Sequence, residues 1–427
     1  MKTLVNAPPK TIAVDLTPVL PGGDNGGAKV FVLELLQRLS HIAPQTQFVL
    51  LTQDTSHDEL SLLDRPNMRR HMVVGPAMAN SIRPRMLGLA TRLLPQLPIH
   101  LRNIVSRQGY KLYTLLKRHG SGTLLRGMGV DLLFCPFTAP TYFEPGIPTI
   151  CTVYDLQHKT YPEFFAAADV AHREHSFLEA CRLATAITTI SDYSRQAIIS
   201  NGHVAPARVH TVYLHMAQRI TTGVVHQQGA LERLGLTAQR YLLYPANFWQ
   251  HKNHEMLLTA FGMACQQGLP ADIKLICTGA PGARQKWLID AAHSMRLGDR
   301  VIFPGYLPSA EIATLLAQCT GLVFPSLFEG FGLPIIEAMA AGVPVACSNT
   351  TALPEVAAGA ALLFDPRIPT QIAQAMLALV QDTALRTRLI QAGQLRAADF
   401  SDANQMANAY WALFQAPTMG SRGHPNH

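Results

Sequence analysis

Along almost the whole chain, short apolar runs alternate with longer segments whose apolar positions recur every three or four residues. Runs of that length predict strands buried on both faces, and the longer periodic segments predict helices packed against them. The first half reads as strands TIAVDL (Thr11–Leu16), QFVLL (Gln47–Leu51), DLLFCP (Asp131–Pro136), PTICTVYDL (Pro148–Leu156), AITTIS (from Ala186) and RVHTVYL (Arg208–Leu214). Helices are expected over Ala28–Ile42 and Asp169–Ala184. Thr221–Gly235 has little periodicity, and the pattern then restarts with YLLYPA (Tyr241–Ala246) and a helix over His254–Gln267. IKLICTG (Ile273–Gly279), a helix over Arg284–Leu297, VIFPGY, a helix over Ala310–Gln318 and GLVFPS (Gly321–Ser326) follow. A helix from Pro334, the strands PVACS and ALLFDP and two closing helices complete the series.

Repeated β-α alternation predicts an α/β fold with parallel sheets covered by helices on both faces. Two such units of similar size are expected to leave a cleft, with ligands at the carboxyl ends of the strands. The expected boundaries are 1–220 for the first domain, 221–238 for a linker and 239–400 for the second domain. A closing helix at 401–416 is expected to pack back on the first domain, before a disordered tail at 417–427. The 427 residues suit two domains, and 48% apolar with 15% charged residues excludes a disordered chain. Pro8, Pro9 and Lys10 interrupt any signal-peptide core, and no eighteen-residue apolar run predicts a transmembrane helix.

Charge sharpens this picture. Arg65–Val130 contains no Asp or Glu and twelve cations: Arg65, Arg69, Arg70, Arg83, Arg85, Arg92, Arg102, Arg107, Lys111, Lys117, Arg118 and Arg126. Taking those twelve from the 35 Lys and Arg leaves 23 cations against 28 acids. Leucines and other apolar residues interleave with these cations, as a basic amphipathic segment on an anionic membrane surface would require. A helical insertion packed on its own domain is the alternative. A nucleic-acid surface is a third reading, but no helix-turn-helix, RNP or zinc-finger pattern accompanies the charge, so no nucleic-acid partner is expected. Seven cysteines without a CxxC pair, all in apolar strand or helix patterns, read as buried free thiols of a reducing compartment. His172 and His175 lack the spacing and partners of a metal site.

The chemistry concentrates in FPSLFEGFGLPIIEAMAAGVPV, Phe324–Val345. A buried strand ends near Ser326, a Gly-rich loop follows, and Pro334 stands at a helix start. Gly330 and Gly332 let the backbone approach a ligand, and the helix that follows offers unpaired N–H groups to a phosphate. On one continuous helix Glu329 and Glu337 would lie about 80° apart. The glycines and proline break that geometry, so the two carboxylates take separate roles, Glu337 on two ribose hydroxyls and Glu329 on the ligand beyond the phosphates. Helix capping is the other use of acids at such a place.

This E-x7-E stretch, with the later Leu353-Pro354-Glu355, resembles the retaining glycosyltransferases of family 4, which have the GT-B architecture of two facing Rossmann-like domains with an interdomain cleft. The resemblance covers most of the chain. PANFWQHKNHEMLLTAF (Pro245–Phe261) is similar to the family's phosphate-binding loop, especially in mannosyltransferase-like members. PGGDNGGAK (Pro21–Lys29), VYDLQHKTYPEFF (Val153–Phe165) and ISDYSRQAI resemble three further family segments.

The resemblance implies that Glu337 binds the donor ribose, that Glu329 contacts the donor sugar, and that amides of Gly330, Phe331, Gly332 and Leu333 contact the donor. It also places Asn247, Gly279, Gly26 and Gly27 at the donor. Many members have an Arg where this chain has Asn247; Lys252 matches the family's lysine, with His251 or His254 to compensate for the missing cation. Tyr154 replaces a histidine before Asp155, and His158 is the candidate to take over as acceptor-side base. Asp155 is either next to the chemistry or a loop cap.

The implied reaction retains configuration, with the donor phosphate accepting the acceptor's proton. Lys252, amides near Gly23 and Gly26, and the helix start after Gly332 would hold the charge developing on the leaving diphosphate. No metal and no cofactor are expected. The expected partners are a nucleotide sugar (GDP-mannose or a UDP-sugar), a lipid-linked glycan acceptor and the anionic membrane. That setting is cytoplasmic, peripheral at the inner face of the cell membrane, in polysaccharide or lipopolysaccharide assembly. The alternatives are an epimerase or phosphorylase of the same fold, and a non-catalytic nucleotide-sugar or glycan-binding partner, which Tyr154 and Asn247 keep open. A NAD enzyme is excluded because no GxGxxG opens a helix after a strand.

Overall fold

The computed structural model describes residues 8–22, 25–75, 123–220 and 229–416. Gly23, residues 76–122 of the basic segment, residues 221–228 of the expected linker and the expected tail lie outside the described residues. The chain divides into two compact units: Met1–Ile190 with Ser194–Val212 and Ala403–His427, and Ser191–Tyr193 with Tyr213–Asp402.

The first unit is built on a seven-stranded parallel sheet: β1 (Thr11–Asp15), β2 (Gln47–Gln53), β3 (Met68–Val74), β4 (Leu132–Cys135), β5 (Thr149–Thr152), β6 (Ala186–Thr189) and β7 (Val209–Thr211), in the order β3-β2-β1-β4-β5-β6-β7. β4 and β5 are buried at every position, which is why they read as unbroken apolar runs. Helices α1 (Gly26–Ile42), α2 (Ala167–Leu183) and α3 (Asp192–Gly202) occupy the connections. Phe31, Leu35 and Leu39 recur at four-residue intervals on α1, and all three are buried.

The second unit has six parallel strands: β8 (Tyr241–Pro245), β9 (Lys274–Thr278), β10 (Val301–Gly305), β11 (Gly321–Phe324), β12 (Val345–Ser348) and β13 (Leu362–Phe364), in the order β10-β9-β8-β11-β12-β13. Its helices are α4 (His254–Gln266), α5 (Ala283–Ser294), α6 (Ser309–Gln318), α7 (Leu333–Ala340), α8 (Pro369–Gln381) and α9 (Thr383–Ala398). The order turns back on itself between β1 and β4 in one sheet and between β8 and β11 in the other. Each reversal opens a crevice outside the carboxyl ends of the strands, the position where open α/β sheets take ligands. The two-domain parallel α/β architecture read from the alternation is the architecture present.

The last helix, α10 (Ala403–Gln415), returns to the first unit. Its Tyr410 ring lies 5.9 Å from Phe31 of α1 and 5.5 Å from Phe134 of β4, and Phe414 lies 5.3 Å from Phe134. Beneath these rings the Tyr410 hydroxyl sits 3.1 Å from Thr188 Oγ1 and 3.3 Å from Thr152 Oγ1, which are themselves 2.9 Å apart. A buried hydroxyl needs such partners, and here β5, β6 and α10 supply them to one another.

One expectation changes at the ends of the basic stretch. Met68–Val74 is β3, an edge strand paired with β2, and the hydrophobic pattern does not reveal it because Arg69, Arg70 and His71 interrupt the run. Charged side chains are what an edge strand tolerates. Arg70 is held by Asp64 (Nη2–Oδ2 2.8 Å), and Arg65 donates to the carbonyls of Leu62 and Asp64. Arg126 donates to the Pro145 carbonyl. These three side chains bond to groups of their own domain. Within the expected linker, Ala230–Arg233 form a helical turn. All seven cysteines are free thiols. Among the described residues no helix is long and apolar enough to cross a membrane.

Replacing Tyr410 by Phe leaves the ring packing intact and removes one hydroxyl from the buried trio, so the expected cost is about 1 kcal/mol. Urea denaturation of the purified protein measures it; a variant as stable as the parent would show that the two threonines satisfy each other without Tyr410.

Candidate active site at the carboxyl ends of the second sheet

The residues singled out in the second domain come from three adjacent strand ends. Asn247 and Lys252 follow β8, Gly279 follows β9, and Glu329 to Glu337 follow β11. What holds the β8 and β11 loops together is a set of buried polar links. The Tyr244 hydroxyl donates to the Lys252 carbonyl (2.7 Å) and lies 3.1 Å from Ser326 Oγ. Leu327 N donates to the His251 carbonyl (2.7 Å), and Asn253 Nδ2 to the carbonyls of Pro325 (3.1 Å) and Pro366 (2.8 Å). Asn253 adopts φ +61°, a left-handed conformation that asparagine tolerates, and so turns the chain into α4.

That lacing delivers Lys252 to Glu329. Lys252 Nζ lies 2.5 Å from Glu329 Oε1, both side chains are largely buried, and the ammonium also sits 5.5 Å above the Phe324 ring. Glu329 N donates to Thr351 Oγ1 at 3.1 Å, fixing the loop that carries the carboxylate. The lysine therefore presents a charge already neutralised by a carboxylate.

The loop behind Glu329 is shaped by Gly332. Its φ of +104° is open to glycine, and a Cβ there would lie 2.5 Å from Leu353 Cδ2. Gly332 caps α7, whose first residues are Leu333 and Pro334. Gly330 is buried, and the Phe331 ring packs inward against Tyr213 (6.3 Å) and Phe400 (5.6 Å), so Phe331 has only backbone to offer a ligand. Glu337, in the second turn of α7, is 3% exposed. Burial pushes its carboxyl above the ordinary range, and the Arg219 guanidinium opposes that, with Nε at 2.8 Å and Nη2 at 2.5 Å from Oε1.

Asn247 accepts from Ala280 N through Oδ1 (2.9 Å), which ties the loop after β8 to the loop after β9. Gly279 is required there: a Cβ would stand 2.7 Å from the Ala246 carbonyl oxygen and 3.0 Å from Asn247 Cα. The compensation expected of His254 fails. Its ring is fully buried between Tyr244 and Phe248 (4.8 and 5.0 Å), and burial lowers its pKa to about 3, which favours the neutral ring. His251 lies against Trp249, ring centroids 5.7 Å apart.

In the first domain the strand ends hold the other candidates. Gly26 (φ +54°) and Gly27 open α1. The preceding loop is pinned by Lys29, whose buried Nζ donates to the carbonyls of Leu20 (2.9 Å) and Gly22 (2.8 Å) and pairs with Glu59 (2.6 Å). Asp155 follows β5 and accepts from Gln157 N through Oδ1 (2.9 Å), so this oxygen caps the loop. His158 is buried with Nε2 3.2 Å from Glu174 Oε2, and burial lowers its pKa, with Glu174 opposing. Glu174 also takes Lys159. Tyr154 lies edge-on to Phe31 (5.9 Å), and burial holds its phenol well above its ordinary pKa, so it stays protonated.

Sequence pattern does not point to Arg219, Tyr244, Asn253, Ser326 or Thr351. Tyr244 and Ser326 read only as positions of apolar strands, and Arg219 stands in no motif. The folded contacts alone give these residues a role.

Comparison with known proteins is consistent from one end of this region to the other. Residues 232–396 match the family model for glycosyl transferases group 1. The chain is 33% identical to the O-antigen chain mannosyltransferase B of Escherichia coli, over 62% of this chain and 70% of that one. It is 28% identical to the serotype-specific mannosyltransferase WbdA of Escherichia coli over 60% of this chain, and this match spans only 32% of WbdA. In fold it superposes on the crystal structure of Anabaena HepE in complex with UDP and glucose, with a TM-score of 0.66, 16% identity, and coverage of 94% of this chain and 98% of that one.

Because the neighbours of Gly279 are backbone atoms, Gly279→Ala forces the β8 and β9 loops apart, at an expected cost of about 1–3 kcal/mol. Gly282→Ala, where a Cβ meets nothing within 4 Å, is the control. Denaturant titration compares them; equal stabilities would mean that the loops part without strain.

Proposed function

The chain belongs to the glycosyl transferases of group 1, and on that premise we propose that it transfers mannose from GDP-mannose, with retention of configuration and without a metal ion. The acceptor in this reading is a lipid-linked or polysaccharide glycan of the cell surface. The observation that carries the proposal is the meeting of Lys252 and Glu329 at the β8–β11 reversal, with buried Glu337 one loop away. The choice of mannose rests on the two Escherichia coli mannosyltransferases and on the NFWQHKNH segment.

In the proposed reaction the anomeric C–O bond to the diphosphate breaks while the acceptor oxygen bonds to the same carbon. The acceptor's proton passes to the leaving phosphate oxygen. Negative charge grows on the diphosphate, and Lys252 is the cation positioned to meet it. As Lys252 turns to the phosphate, Glu329 is freed to face the sugar, where positive charge develops. Amides at the start of α7 add fixed donors that need no reorganisation. Glu337 accepts from the ribose hydroxyls. Asn247 binds backbone with Oδ1, so its contribution at the phosphates is a neutral donor where relatives of the resemblance carry a second cation.

The direct test incubates the protein with a panel of GDP- and UDP-sugars and a membrane lipid extract, reading nucleoside diphosphate release. Release from GDP-mannose that depends on acceptor and survives EDTA is expected. Lys252→Ala is expected to lose about a hundredfold in rate, as for one preorganised charge donor, and Glu337→Ala to raise the donor KM. Nucleotide binding without release from any donor would replace the enzyme by a binding partner; release abolished by EDTA would remove the metal-free mechanism.

The membrane setting has its own readout. Sedimentation with vesicles of anionic lipid should exceed sedimentation with neutral vesicles, and Arg83→Gln with Arg85→Gln and Arg92→Gln should reduce the difference at about 0.1 M salt, where surface attraction is still felt. Equal sedimentation with both vesicle types would remove the anionic surface as a partner.

A further inference from the structure

Glu337 has a partner outside its own helix and loop. The stretch after β7 that belongs to the second unit carries Arg219, and its backbone is held firmly: Met216, Ala217 and Ile220 are buried, and Ala217 N donates to the Phe400 carbonyl at 3.0 Å. Tyr213 at the start of this stretch packs on Phe331 and Phe400, the same rings that fix the loop leading to α7. The guanidinium is thus delivered from a fixed base to a carboxylate on a fixed helix. Both of its N–H donors converge on Oε1, so the guanidinium does not take Oε2.

We propose that Arg219 is the positioning residue of the nucleotide site, holding Glu337 in one orientation with one oxygen tied and the other offered to the ribose hydroxyls. The inference rests on the reading of Glu337 as the ribose ligand. The chemistry is specific to a charged, oriented acceptor. A buried carboxylate drifts toward the protonated state, and burial is the largest influence on Glu337. Among the described residues Arg219 is the charged side chain that acts on it, and it acts in the opposite direction. Arg219 favours the ionised carboxylate, the form that accepts from a hydroxyl. Without it, burial acts unopposed, so Glu337 takes a proton more readily as pH falls and its acceptor strength at the ribose is lost. A partly exposed arginine that only stabilised the fold would show no preference for the ribose of a ligand.

The experiment measures binding of GDP and UDP, and of their 2′,3′-dideoxy analogues, by calorimetry from about pH 8.5 to about pH 6, on the side of the ordinary range toward which burial moves a carboxyl. Wild type is expected to prefer the ribose form at every pH. Arg219→Gln is expected to bind the ribose form about tenfold more weakly at the acid end, the size of a lost charge-assisted hydrogen bond, and to recover at the alkaline end. Its affinity for the dideoxy form should match wild type throughout. Arg219→Lys keeps the charge and loses the paired geometry, so a smaller loss confined to the ribose form is expected. It decides the question by the same split if Arg219→Gln does not fold.

A loss equal for both nucleotides, or one that ignores pH in Arg219→Gln, or no loss at all, overturns the proposal. Glu337→Gln separates the two levels. If Glu337→Gln loses the ribose preference while the Arg219 variants keep it, Arg219 alone is misassigned. If Glu337→Gln keeps the preference, or wild type binds neither nucleotide, the reading of Glu337 as ribose ligand is the one that fails.

Discussion

The second domain's site depends on one buried hydroxyl at the place where the strand order reverses. A parallel sheet whose order turns back leaves two loops diverging from neighbouring strand ends, with nothing in the ladder to hold them together. Tyr244, the penultimate residue of β8, bridges that gap by donating to the Lys252 carbonyl and meeting Ser326. Asn253 repeats the link one residue beyond Lys252, toward Pro325 and Pro366. Lys252 is therefore carried on a segment tied at both its own carbonyl and its neighbour's side chain. Its ammonium reaches Glu329 from a loop held to the loop that bears the glutamate.

The electrostatics follow from that geometry. Each glutamate of the stretch has its own cation: Lys252 for Glu329 and Arg219 for Glu337. They differ in how that cation can be used. The Lys252–Glu329 pair joins two largely buried side chains carried on neighbouring loops. The Arg219–Glu337 pair joins a helix to a fixed stretch, with the carboxylate buried, and an arrangement of that kind costs a great deal to break one-sidedly. His254, beside the lysine in sequence, contributes no charge, because the aromatic cage that orders the α4 start also desolvates its ring. Sequence proximity to a lysine is a poor guide to charge when the neighbour points into the core.

Much of the architecture is legible because parallel strands buried on both faces need unbroken apolar runs, and those runs stand out in the chain. Where a strand sits at an edge the requirement lapses, and β3, with Arg69, Arg70 and His71, escapes the pattern. The Gly-rich stretch from Glu329 to Glu337 is readable as a loop entering a helix, since Gly332 and Pro334 announce that transition. The partners of its two carboxylates are not equally readable. Lys252 lies in a recognisable segment. Arg219 lies 118 residues before Glu337, in a stretch with neither periodicity nor motif.

The sequence by itself determined the two-domain parallel α/β plan and the membership among GT-B glycosyltransferases, and it marked the stretches from which a candidate site is built. These depend on composition and local pattern: buried runs, turn glycines, and charged residues at fixed spacing. The tertiary structure alone decided which groups carry charge and which groups share it. It turned His254 neutral, committed Asn247 Oδ1 to the backbone of Ala280, sank the Phe331 ring among aromatics, and brought Arg219 to Glu337. The physical reason is that desolvation and pairing depend on what lies within a few ångströms in space, and residues that meet there are separated along the chain by tens of positions or more.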